Sequence, residues 1–77
     1  MSTNNNTIQP RLQYHYAKID TVTGRCKGCA TYSYEIIHDA YIPVPRTSSD
    51  YIGKYYNQQD GLWYTDGTFT VLADGLN

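Results

Sequence analysis

A chain of 77 residues with a formal net charge of −1 has room for one domain, and a chain this short buries only about 60% of its unfolded surface. That excludes a large catalytic cleft between two lobes, and 40% hydrophobic against 17% charged residues excludes a highly charged disordered tail and a histone-like nucleic-acid coat. The unusual feature is nine Tyr beside one Trp and one Phe, because Tyr favours strands and brings a hydroxyl that must be paired or wetted.

Residues 1–10 are polar and poor in apolar side chains, which predicts a flexible N-terminal arm ahead of a single β domain over 11–77. No apolar run reaches the roughly 20 residues of a membrane helix, and the first ten residues lack the blocks of a signal peptide. A soluble intracellular product with no membrane partner is expected. Residues 12–20 alternate, with Leu12, Tyr14 and Tyr16 on one side and Gln13, His15, Ala17 and Ile19 on the other, the period of a strand. Asp20 to Gly24 turns the chain. Residues 25–37 alternate again, with Gly28 as the expected bulge or kink, and the two strands are predicted to pair as a hairpin.

Tyr41-Ile42-Pro43-Val44-Pro45 lacks two backbone donors and reads as an extended edge, not a central strand. Ser48, Ser49 or Asp50 is placed to cap a single helical turn over Tyr51 and Ile52 before Gly53. The last third carries short strands around Tyr55-Tyr56, Leu62-Trp63-Tyr64-Thr65 and Thr68-Phe69-Thr70-Val71-Leu72, with Asp60-Gly61 and Asp66-Gly67 between them. Asp-Gly between aromatic and β-branched runs is a strong hairpin signal, so a three-stranded meander is predicted. The class is all-β: a small antiparallel sheet or open barrel of about five strands built from hairpins. So thin a core favours self-association into a homo-oligomer.

Cys26-Lys27-Gly28-Cys29 has the spacing of half a zinc site or of a redox pair, but a structural zinc needs four ligands and His15 and His38 fit no common finger spacing. The leading reading is two small, partly buried reduced cysteines, with no metal and no cofactor. Neither histidine nor any serine lies in a catalytic motif, so no enzyme is expected. Charge is divided along the chain. Arg11, Lys18, Arg25 and Lys27 against Asp20 give residues 1–34 a net +3, while Arg46 and Lys54 against six carboxylates give 35–77 a net −4. Six scattered cations are too few to coat bulk nucleic acid.

Tyr14 and Tyr16 share one strand face and Tyr32 and Tyr34 another, so a paired hairpin is expected to present four tyrosines together. Tyr55, Tyr56, Trp63 and Tyr64 are expected to form a second aromatic cluster. Arg25 and Lys27 with the first four tyrosines suit a small anionic or nucleotide-like ligand.

Gly53-Lys54-Tyr55-Tyr56-Asn57, then Asp60-Gly61-Leu62-Trp63-Tyr64-Thr65-Asp66 and Phe69-Thr70, resemble a pattern of small bacteriophage and prophage accessory proteins encoded near tail-fibre genes. The resemblance carries no catalytic residues. It implies a phage product in the host cytoplasm that inhibits a host defence protein or sequesters a nucleotide-like signal. The alternative is a virion or tail-associated structural or glycan-binding module, using the second cluster.

Overall fold

The structure, a computed structural model, describes residues 12–77; the predicted N-terminal arm and Arg11 lie outside the described residues. Strands β1 (Tyr14–Ile19), β2 (Cys26–Tyr32) and β3 (Tyr41–Pro43) form one antiparallel sheet in the order β2-β1-β3. Strands β4 (Tyr55–Asn57) and β5 (Leu62–Tyr64) form a second. The all-β class and the first hairpin are as expected. The Asp20 carboxylate, which accepts from the N–H groups of Val22 and Thr23 at 2.8 and 3.2 Å, builds the β1–β2 turn, and these donors hold its pKa below the usual value.

Three expectations are corrected. The second strand stops at Tyr32 instead of Ile37, because Tyr32 pairs with Tyr14, the first residue of β1, and the partner strand ends there. The bulge falls on Lys27 and not on Gly28: Lys18 pairs with Gly28 and Ile19 with Cys26, leaving Lys27 unopposed. The third strand of the meander does not form. Residues 66–71 instead wrap around the Asp66 carboxylate, which accepts from the N–H groups of Thr70 and Val71, and a single Tyr64–Leu72 bridge is all that remains of the pairing.

β3 lies at an edge, as Pro43 requires. The Val44 N–H donates inward to His15 O at 3.0 Å, so by alternation the donor missing at Pro43 would have pointed away from the sheet. Ser48 caps a 3-10 turn, Ser49–Tyr51, by accepting from the Asp50 N–H at 3.1 Å. The turn begins two residues earlier than predicted, and Ile52 is already extended.

The two sheets meet at one corner. Cys26 N–H donates to Lys54 O, Gly53 N–H to Cys26 O and Tyr56 N–H to Gly24 O, at 2.8–3.0 Å, around an Arg25–Tyr55 bridge. The second sheet thereby covers one face of the first. Ala17, Ile19, Cys26 and Ile42 meet Tyr51, Trp63 and Ala73 there to form the core. Among the described residues no helix is long and apolar enough to cross a membrane.

Candidate functional site

The face of the three-stranded sheet opposite this core is built from tyrosines. Alternation puts Tyr16 and Lys18 of β1 on the side away from Ala17 and Ile19, and directly paired residues share a face, so Tyr41, opposite Lys18, joins them. The rings touch in sequence: Tyr16 to Tyr41 at 6.0 Å, Tyr41 to Tyr32 at 6.1 Å, Tyr32 to Tyr16 at 6.1 Å and Tyr32 to Tyr34 at 5.6 Å between centroids, all tilted or edge-on. The His38 imidazole stands edge-on to Tyr41 at 5.7 Å. Such geometries are the favoured ones for aromatic pairs.

Burial grades across this group. Tyr16 is 2% exposed and its hydroxyl accepts from the Ile36 N–H at 2.8 Å, which ties the segment after β2 back over the sheet. Tyr32 and Tyr41 are half-buried, and Tyr34 is 61% exposed. Partial desolvation, with a smaller contribution from the Tyr41 hydroxyl, raises the Tyr32 phenol above its ordinary pKa.

The predicted four-tyrosine patch is therefore largely present, with two changes. Tyr14 sits opposite Tyr32 in register but is not among the rings in contact, and Tyr41 and His38, which the sequence pattern does not place with these rings, take part. The predicted cations do not join the rings. Arg25 and Lys27 are exposed at the start of β2, five or more residues from Tyr32, or about 17 Å along a strand, and the Arg25 guanidinium lies near Gly53. Lys18, half-buried on the tyrosine face, is the cation the fold places beside Tyr41.

The second predicted cluster is divided by the strand period, because adjacent residues point to opposite faces. Tyr56 pairs with Trp63 and turns inward, with ring centroids 5.1 Å apart, and Trp63 also meets Tyr51 at 5.0 Å. Tyr55 pairs with Tyr64 on the other side, where Tyr64 meets Phe69 edge-on at 5.5 Å. The Tyr64 hydroxyl donates to Asp60 Oδ2 at 2.5 Å, and that bond is the main cause of its raised pKa. Between β3 and β5 the two sheets leave an open seam, a concavity of about 440 Å³ lined by Pro43, Val44, Pro45, Tyr56, Leu62 and Trp63 among others.

Both imidazoles have local partners: His15 Nδ1 bonds Thr31 Oγ1 at 2.8 Å, and His38 Nδ1 accepts from the Ala40 N–H at 3.0 Å. Cys26 and Cys29 are free thiols, one buried and one half-buried. Among the described residues no three His, Cys, Asp or Glu side chains stand where they could hold a metal together. No protein-family model, curated protein or solved structure matches the chain.

Proposed function

We propose that the protein is a non-catalytic, phage-type binding module that uses the tyrosine face of the three-stranded sheet to sequester a nucleotide-like ligand. The supporting observation is Tyr34, which exposes 61% of its surface while its ring leans on Tyr32 at 5.6 Å. A ring already held by its neighbour loses little freedom on stacking with a ligand, and the tyrosine hydroxyls suit the polar rim of a nucleobase or sugar. Lys18 serves the anionic group. Lys18 pairs with Gly28, beside Lys27, so the two lysines stand at nearly the same level of the sheet, whereas the Arg25 guanidinium lies at the corner near Gly53.

The bacteriophage resemblance supports an inhibitor of host defence acting in the host cytoplasm. Self-association is part of the reading. Tyr34 and Ile37 are exposed, the latter 90% accessible, and β2 forms the sheet edge that carries no proline.

Calorimetry with a nucleotide panel tests the proposal. One nucleotide is expected to bind the unaltered protein, with Tyr34→Ala and Lys18→Ala each weakening it roughly tenfold or more and Arg25→Ala leaving it nearly unchanged. Absence of binding by every nucleotide overturns the reading.

The seam between β3 and β5 favours a second reading, a virion-associated glycan-binding module that presents Tyr56 and the prolines to a sugar ring. Glycan-array binding that survives Tyr34→Ala, or recovery of the chain in purified virions, selects it.

A further inference from the structure

Cys26 and Cys29 have no part in the tyrosine face. On an unbroken strand, residues three apart project to opposite sides. Here the bulge at Lys27 absorbs one residue, so that Cys26 sits opposite Ile19 and Cys29 opposite Ala17. Opposed residues share a face, and Ala17 and Ile19 both point into the core. The bulge thus brings both thiols to the same side of β2. Behind burial, which is the larger effect, and partly offset by the Gly28 carbonyl, the Cys29 thiol also pushes the Cys26 pKa up.

Access distinguishes the two. Cys26 is fully buried, with its Sγ donating to Gly28 O at 3.4 Å. Cys29 is half-buried and opens on a surface concavity of about 310 Å³, walled by Thr47, Ser48, Ser49 and Ile52. Its Sγ donates to Ser48 O at 3.4 Å. A reachable thiol with a second, buried thiol on the same face of its strand is the arrangement that thiol–disulfide exchange requires.

We propose that Cys29 is an exchange site for small aliphatic disulfides of the glutathione class, with Cys26 as the resolving thiol. Cys29 gives its proton to water, and its thiolate attacks one sulfur of the small disulfide. That S–S bond breaks, a mixed disulfide forms on Cys29, and the first small thiolate leaves and is protonated. Cys26 then loses its proton and attacks Cys29 Sγ, and the second small thiolate leaves and is protonated in turn. Two protein thiols are oxidised to one disulfide, and one small disulfide is reduced to two thiols.

The exchange acts on the fold at one point. Cys29 gives up its bond to Ser48 O, and Ser48 caps the turn that carries Tyr51 into the core. Oxidation therefore loosens the 3-10 turn.

The experiment is incubation of the full chain with oxidised glutathione, followed by intact-mass measurement and peptide mapping. The expected product is a Cys26–Cys29 disulfide, lighter than the reduced chain by two hydrogens and without a lasting adduct. Cys26→Ala is expected to stop at one glutathione on Cys29, and Cys29→Ala to react roughly tenfold or more slowly. A stable adduct on the unaltered chain, a disulfide between two chains, no product, or an undiminished rate in Cys29→Ala overturns the proposal. If Cys26→Ala does not fold, the product formed by the unaltered chain decides the question.

Discussion

The side-chain amide of Asn77 bonds both backbone groups of Trp63: its Oδ1 accepts from the Trp63 N–H at 2.7 Å, and its Nδ2 donates to the Trp63 carbonyl at 3.0 Å. Ala73 N–H donates to the same carbonyl at 3.0 Å. Together they stand in for the missing neighbour on the outer edge of β5, at the residue whose ring is packed between Tyr51 and Tyr56.

Asn77→Ala leaves the Trp63 N–H without its partner and is expected to cost about 1–2 kcal/mol. Asn77→Asp keeps the acceptor but turns a carboxylate oxygen toward the Trp63 carbonyl, so it destabilises at neutral pH and recovers in part below about pH 4. Urea unfolding followed by the emission of the single tryptophan measures both. An unchanged midpoint in Asn77→Ala would show that the amide is structurally idle.

Tyr16 holds the other side of the sheet. Tyr16→Phe preserves the ring contacts with Tyr32 and Tyr41 and removes the acceptor for the Ile36 N–H, at an expected cost of about 1–2 kcal/mol. The loss should be local. Amide exchange over residues 33–38 is expected to accelerate more than exchange in β1, and equal acceleration in both would sink this account.

The sequence carried the elements whose causes are local. Alternation over 12–20, the Asp20 turn, the Ser48 cap and the proline-guarded edge each depend on residues within a few positions of one another, and each is found. What it could not convey is register between distant segments. Tyr41 joins the tyrosine face only because β3 pairs with β1 so that Tyr41 meets Lys18, and no local pattern sets that offset. The length of β2 escapes the local pattern for the same reason: residues 33–37 keep strand periodicity, but their partner strand has ended. Tyr55, Tyr56, Trp63 and Tyr64 looked like one cluster because adjacency in sequence suggests proximity, whereas the strand period sends neighbours to opposite faces. The loop at 66–71 is hidden in the sequence because Asp66 competes with the sheet for backbone donors, and threonines rich in strand propensity disguise that competition.

Two glycines separate close approach from mere permissiveness. At Gly24, with φ at +82°, a Cβ would stand 2.5 Å from the carbonyl oxygen of Tyr56, at the corner that joins the sheets. Gly24→Ala is expected to cost about 3 kcal/mol, from strain and a clash with backbone that cannot move aside. Gly28, beside the bulge, faces open space. Gly28→Ala is expected to stay within about 0.5 kcal/mol of the unaltered protein. Thermal unfolding of the pair checks the contrast, and comparable losses at both positions would refute it.

Asp66 gives the stability a defined dependence on pH. Its carboxylate accepts from the Thr68 hydroxyl, the Thr70 hydroxyl at 2.6 Å and the Val71 N–H at 2.9 Å, and these donors, led by Thr68, hold its pKa far below the ordinary 3.8. The same bonds keep Phe69 in the left-handed region, at φ 58°. Because the folded value lies below the unfolded one, the stabilisation is fully present above about pH 4 and is lost as pH falls toward the folded value. Asp66→Asn is therefore expected to be less stable than the unaltered protein at pH 7, with the gap narrowing once pH drops below about 4. Denaturant midpoints across that range, with a direct NMR titration of the Asp66 carboxyl, measure it. A titration near 3.8, or a gap that does not change with pH, would mean that the threonine donors do not hold this carboxylate in solution.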